Sequence, residues 1–268
     1  MTDTLVTYEA RPVLPEPDAP LAAYLILDDP RRRNALSDAL LGQLMDGLHR
    51  ATADPGVRVI VLTSSHEKVF SSGGNLDAFA DTRPTITKYA GLHSFPDLFR
   101  TLTAIDKPVV CAANGDVLAG ALGVALACDL VIAKRSVKVG CPEINIGAFP
   151  FMISALIFRA TGRLTANELM MTGRLLSADE ALNAGLLNRV VADEDFEEAV
   201  SEWVATIASK SPLLLGLGKK ALAATRDLPL DAALDYLQAQ LALAFTTEDL
   251  AEGVRAFKEK RAPIWRNV

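Results

Sequence analysis

Hydrophobic positions along the chain follow two rhythms. Val57–Thr63 (broken only by Arg58), Val109–Ala113 and Leu130–Ala133 are near-continuous apolar runs rich in β-branched and aliphatic residues, the pattern of strands buried on both faces. Ala22–Leu27 reads as a further short strand. Between Ala22–Leu27 and Val57–Thr63 the rhythm changes: Ser37 stands before Leu40, Leu41, Leu44, Met45 and Leu48, which recur at helical spacing up to Asp54-Pro55-Gly56. Ser37 is placed to cap that helix. Strands separated by helical stretches predict parallel βαβ units. Thr165-Ala-Asn-Glu168 and Ser177-Ala-Asp-Glu180 both match the capping box and predict two short helix starts. From Asp195 onward the chain reads as amphipathic helix, with breaks at Ser211-Pro212, Pro229 and Thr246-Thr247. The expected organisation is an α/β core over residues 1–200 and a helical region over 201–268, which packs on its own core or on a neighbouring subunit.

Composition narrows the function classes. The 268 residues carry 27 basic and 33 acidic side chains, a net charge of −6, which argues against a nucleic-acid partner. No apolar run reaches the ~18 residues a membrane helix needs. Met1–Ala10 holds two acids and no base, unlike a secretory leader. Three cysteines, Cys111, Cys128 and Cys141, are odd in number and widely spaced, which predicts a reducing, cytoplasmic setting without disulfides. Neither HExxH nor CxxC occurs, so no metal is expected. Gly216-Leu-Gly218 imitates a dinucleotide fingerprint but follows a helix start rather than a strand. Gly115 to Gly120 has Walker-like spacing without the Lys-Ser/Thr that holds phosphate and magnesium. No GxSxG elbow is present.

Candidate chemistry concentrates in three places. Phe70-Ser-Ser-Gly73-Gly74-Asn75 and Asn114-Gly115-Asp-Val-Leu-Ala-Gly120-Ala-Leu-Gly123 are glycine-rich turns, each following a predicted buried strand. Small residues let a ligand approach backbone amides, and Gly120 opens a predicted helix, where amides and macrodipole favour negative charge. The third is Glu143, one carboxylate in the apolar stretch Val139-Gly-Cys-Pro-Glu-Ile-Asn-Ile-Gly147. Desolvation there raises a carboxyl pKa toward the range of a general base.

Together these segments resemble the crotonase, or enoyl-CoA hydratase/isomerase, superfamily. The resemblance runs through Asn34-Ala35-Leu36, Phe70–Asn75, Lys107 to Asp129, Pro142-Glu143, Leu169–Gly173, Ser177-Ala178, Ala184-Gly185-Leu186 and Phe257-Lys-Glu-Lys-Arg261, in order over nearly the whole chain. It implies a ββα spiral core with a helical C-terminal trimerisation region, assembled as a homotrimer or a hexamer of two trimers. It implies an acyl-CoA thioester substrate, with coenzyme A part of the substrate and no separate cofactor. By the same resemblance the amides of Gly74 and Gly120 form an oxyanion hole, Glu143 is the catalytic acid–base, and Phe257 and Lys260 contact CoA. Asn75 stands where the family usually carries aspartate.

One departure bears on the reaction. Hydratases of the family carry a second glutamate at the position of Gly123, which has no side chain here. Hydration needs water oriented and a proton delivered, whereas moving a double bond needs one base that takes a proton and returns it elsewhere. The expectation is therefore an enoyl-CoA double-bond isomerase. The alternatives are a hydratase lacking the usual second glutamate, and a non-catalytic acyl-CoA-binding protein. Phe151 and Met152 are candidate acyl-pocket residues that exclude water, and His93 is a candidate pocket residue and second proton-transfer group. Cys111 and Cys128 read as small core residues, and Cys141 has no partner that would make it a nucleophile.

Overall fold

Alternate residues of the central strands face two different apolar clusters. In the computed structural model, which describes residues 3–16, 19–75, 82 and 84–268, Val57, Ile60 and Leu62 of β3 (Val57–Ser64) join one cluster, and Val59 and Val61 the other. In β5 (Val109–Ala113) the same split separates Val109, Cys111 and Ala113 from Val110 and Ala112. This is why the runs are continuous rather than alternating. Each large aliphatic side chain buried this way contributes about 1.5–3 kcal/mol.

The main sheet has six strands in the order β1 (Val6–Pro12), β2 (Leu21–Leu27), β3, β5, β7 (Leu130–Lys134) and β10 (Arg189–Val191). β1 and β2 are antiparallel and the remaining neighbours parallel. A second sheet lines up β4 (Val69–Ser71), β6 (Asp116–Leu118), β8 (Lys138–Gly140) and β9 (Leu175–Ser177). Its first three strands are parallel and β9 runs antiparallel. Each pass of the chain lays one strand in the first sheet and the next in the second: β3 then β4, β5 then β6, β7 then β8. The result is the expected ββα spiral.

Helices α1 (Asp38–Ala53), α3 (Ser94–Ala104), α4 (Gly120–Ala127) and α5 (Phe151–Ala160) contribute to the larger cluster. α8 (Phe196–Ala208) covers the opposite face of the main sheet through Phe196, Ala199, Val200 and Val204. α4 is apolar on every side and nearly all buried, a helix inside the core rather than on it.

Local signals hold at four of the expected helix starts. The Ser37 hydroxyl accepts from the Leu40 amide at 3.3 Å. The capping box of α7 (Ala178–Asn183) closes in both directions, Ser177 N to Glu180 at 2.8 Å and Glu180 N to Ser177 Oγ at 3.2 Å. Ser211 caps α9 (Pro212–Thr225), and Thr247 caps α11 (Glu248–Glu259). The Thr165 box is a correction. α6 (Arg163–Thr172) begins three residues earlier, behind Gly162, so Thr165 lies inside the first turn. β1 ends at Pro12, tolerated because the strand is at the sheet edge; of the neighbouring prolines, Pro17 lies outside the described residues. No described helix is long and apolar enough to cross a membrane.

The C-terminal helices attach unequally. Lys219 of α9 reaches into the core, donating to the carbonyls of Leu102 and Lys107 at 3.0 and 3.2 Å and to Asp129 at 2.7 Å. Gly216 packs on Asp106, whose carbonyl oxygen would sit 3.0 Å from a Cβ there; the Gly-Leu-Gly segment is helix packing, not a phosphate turn. α10 (Leu230–Ala244) packs on α9 and buries none of its residues.

Candidate active site

Three adjacent parallel strands of the small sheet end together, and each hands the chain to one of the predicted chemical segments. β4 leads into Ser72–Asn75, β6 into Ala119-Gly120, and β8 into Cys141–Glu143. Neighbouring strands lie about 4.8 Å apart, so pairing alone brings the three segments side by side. The Ala119 amide donates to the Gly140 carbonyl at 2.8 Å, fixing the second turn to the strand that carries Glu143.

The two glycine turns are in contact. A Cβ on Gly73, whose φ is +88°, would strike the Ala119 methyl and lie 2.7 Å from the Leu118 oxygen and 2.8 Å from the Gly120 nitrogen. A Cβ on Gly120 would lie 3.3 Å from the Gly74 nitrogen. Two amides from separate turns therefore stand beside each other, and Gly120 N, first in α4, has no intrahelical acceptor. Buried Asn34 braces the first turn: its side chain accepts from Asp29 N at 2.7 Å and donates to Ser64 Oγ and the Phe70 carbonyl at 2.7 and 3.0 Å. Ser71 Oγ donates to the Asn34 carbonyl at 2.6 Å and accepts from Gly73 N at 3.1 Å. The second turn stores strain. Ala119 sits at φ 54°, ψ −130°, a region that belongs to glycine and costs other residues about 1–3 kcal/mol. Strain at such a point marks a place where backbone geometry is held for a purpose.

Glu143 lies in a 3-10 turn, Pro142–Ile146, closed by the Ala148 amide on its carbonyl at 3.1 Å. Its Oε2 is buried without a hydrogen-bond partner among the described residues. Burial pushes its pKa above the ordinary carboxylate value, partly opposed by a backbone hydrogen bond. A carboxyl so placed exchanges a proton more readily near neutral pH than an exposed one. Burial, then the nearby Glu143 charge, pushes the Cys141 thiol up to about 12, so it is protonated at neutral pH and no nucleophile.

The other expected residues distribute differently. Phe151 and Met152 open α5 and are exposed, and with Ile146 and Phe149 they form an apolar rim after Glu143. His93 is exposed at the start of α3, its ring edge-on to Tyr89 at 5.9 Å. Phe257 is 85% exposed and Lys260 is the left-handed C-cap of α11, a helix that packs on α9; both lie outside the cluster of turns. The structure adds residues that sequence reasoning missed. Phe95 lies 3.1 Å from where a Gly120 Cβ would be, and Phe99 and Ile153 close over Gly123. Their only local signal was the i, i+4 spacing of the two phenylalanines.

An arrangement of two convergent amides beside one desolvated carboxyl suits chemistry that builds negative charge on an oxygen while a proton moves. Comparison with known proteins agrees with that chemistry. The family model described as enoyl-CoA hydratase/isomerase matches residues 22–268. A Thermus thermophilus protein named "Putative enoyl-CoA hydratase" is 37% identical over 244 residues, covering 90% of this chain and 96% of the relative. The 2,3-dehydroadipyl-CoA hydratase of Escherichia coli is 32% identical over 243 residues, covering 90% and 94%. The crystal structure of an enoyl-CoA hydratase from Mycobacterium smegmatis superposes with a TM-score of 0.90 at 28% identity, over 98% of this chain and 99% of that one. The chain belongs to the enoyl-CoA hydratase/isomerase family, the crotonase superfamily.

Proposed function

We propose that the protein moves the double bond of an enoyl-CoA thioester, with Glu143 as the single proton carrier. On a 3-enoyl-CoA, the Glu143 carboxylate takes a proton from C2 and the electron pair delocalises onto the thioester oxygen. The Gly74 and Gly120 amides donate to that oxygen, each stabilising the charge by roughly 3 kcal/mol as oxyanion-hole donors do. Glu143 then returns the proton at C4, leaving the double bond between C2 and C3. No atom is gained or lost, and no second acid is needed. Phe257 and Lys260 hold the adenine and 3′-phosphate of CoA, an aromatic and a cation suited to those groups. The exposed apolar stripe of α10, Leu230, Leu234, Leu241 and Phe245, supports assembly as a trimer or hexamer, and the low cysteine usage supports a cytoplasmic setting.

The observation that carries this reading is that α4 brings no carboxylate to face Glu143: position 123 holds glycine, and the space its side chain would take is filled by Ile153 and Phe99. The names of the relatives favour the other reading, a hydratase that manages with Glu143 alone. A panel of 2-enoyl- and 3-enoyl-CoAs turned over in heavy-oxygen water decides between them. Double-bond migration without label is the expected result. Label in the acyl chain would replace this reading with hydration, and binding of CoA esters without turnover would make the protein a carrier.

A further inference from the structure

Gly120 and Gly123 are one turn apart on α4 and face the same side. A side chain at 123 would therefore be the next group along from the oxyanion amide, and the natural place for a second polar group in this site. That place is taken. A Cβ on Gly123 would strike Ile153 Cγ2, lie 2.7 Å from Phe99 Cζ and 3.1 Å from Ile153 Cβ. The Phe99 contact is the far end of a ring and can tilt away. The Ile153 contact yields less readily: a β-branched side chain has one strongly preferred χ1 in a helix, and its Cβ, at 3.1 Å, moves only with the α5 backbone. Phe95 and Phe99 are themselves an edge-to-face pair, centroids 6.0 Å apart, so α3 lays a continuous aromatic ridge along the two glycines. Ile153 is 2% exposed and Phe99 9%. The atoms nearest that place are hydrocarbon, so among the described residues they offer a water no polar partner.

We infer that Ile153, backed by Phe99, is a specificity-determining residue: it occupies the volume of a second acid–base side chain on α4 and holds the site to one-carboxylate chemistry. The inference deepens the reading of the reaction given above and rests on it for the chemistry, while its packing half stands alone. Isoleucine at 153 and glycine at 123 are then a matched pair, each tolerable because of the other. A polar side chain at 123 requires a smaller residue at 153, and a smaller residue at 153 leaves a gap that only a side chain at 123 fills.

Two measurements test it. In thermal unfolding, Gly123→Ala in the wild-type background lowers the midpoint by roughly 5 °C, as overpacking does. In the Ile153→Ala background the same substitution is neutral or raises the midpoint. Equal losses in both backgrounds would overturn the shared-space argument. In heavy-oxygen water with a 2-enoyl-CoA, the double variant Gly123→Glu/Ile153→Ala forms labelled 3-hydroxyacyl-CoA faster than Ile153→Ala alone by about tenfold or more, the lower side of what a positioned acid–base group contributes. A folded double variant with no such gain overturns the specificity role. Where the glutamate variant does not fold, Gly123→Asp in the same background is read the same way. Label formed by the wild type at the rate of the double variant would also overturn it. Label formed by the wild type at a lower rate than the double variant would instead count against the isomerase reading alone.

Discussion

The two glycine turns and helix α10 represent opposite degrees of completeness within one chain. The turns are closely packed on each other: Gly73 has no room for a methyl, Gly115 packs on the Val69 backbone, and Asn34 uses both ends of its amide. α10 buries none of its 15 residues and turns Leu230, Leu234 and Leu241 to the outside, with exposed Phe245 at its C-cap. α9 lies between these extremes, fastened to the core by Lys219 yet bearing α10 on its other side. Close packing holds reacting groups within tenths of an ångström, whereas an exposed apolar stripe gains stability only when another surface covers it. The contrast matches the two tasks proposed above, proton transfer at the packed turns and assembly through the uncovered helix.

The sharpest way to test that division is to remove the carboxyl proposed to carry the proton. Glu143→Gln lowers turnover by about 10²–10⁴ with CoA affinity nearly unchanged, since glutamine keeps the size but cannot exchange the proton. The loss is the same at every protein concentration if the chemistry resides in one chain. Stability moves the other way. Burial raises the Glu143 pKa in the fold, so the folded chain holds that proton where the unfolded chain has released it. Its contribution therefore falls as pH rises from the ordinary carboxylate value through the raised one. At neutral pH the glutamine variant accordingly melts slightly above the wild type, and the advantage disappears in acid. A variant that keeps more than about a tenth of wild-type turnover on every substrate would fall outside the loss expected for a general base and remove Glu143 from that role.

The next effect belongs to the exposed helix. Leu234→Asp/Leu241→Asp puts two charges on the α10 stripe, and a central interface position of this kind is worth about 2 kcal/mol or more. Light scattering then reports monomers at concentrations where the wild type is assembled, while circular dichroism of the core is retained. A wild type that is monomeric at all concentrations, or a variant that assembles as before, breaks the comparison by giving α10 some other task.

How legible these regions were follows from their physics. β3, β5 and β7 were readable because burial on both faces writes a near-continuous apolar run. β4, β6, β8 and β9 have three residues each, too few for any period, and exist because they pair with one another. Glu143 and the glycine turns stood out as residues out of keeping with their surroundings. Phe95, Phe99 and Ile153 did not, because each looks like ordinary helix core and they meet only in three dimensions. Thr165 misled because a capping-box match is local, whereas Gly162 set the start of α6.

A smaller effect probes the link between the two regions. Phe257 and Lys260 belong to the C-terminal helices but are proposed to serve the ligand. Lys260→Ala weakens CoA more than 3′-dephospho-CoA by about 1–2 kcal/mol, the range of one charge-assisted contact, measured by calorimetric titration of both ligands. Equal weakening of the two moves the phosphate contact to another residue.

The smallest effect lies inside the core. Ala119 holds φ 54°, ψ −130° between β6 and α4, with its methyl against Gly73. Glycine adopts that backbone without strain, so Ala119→Gly relieves about 1–3 kcal/mol in the fold. It also frees the unfolded chain, which takes back about 0.4–1 kcal/mol. The net is a stabilisation of about 1 kcal/mol, a rise in melting temperature of roughly 2–4 °C for a chain of this size. Turnover responds separately. If the Ala119 methyl presses the Gly73-Gly74 turn into register with the Gly120 amide, the more stable variant is the slower one, because the two oxyanion donors gain freedom to drift apart. A variant that is both more stable and equally fast would mean that the hydrogen bond from residue 119 to Gly140, which glycine retains, is enough to hold the hole in shape.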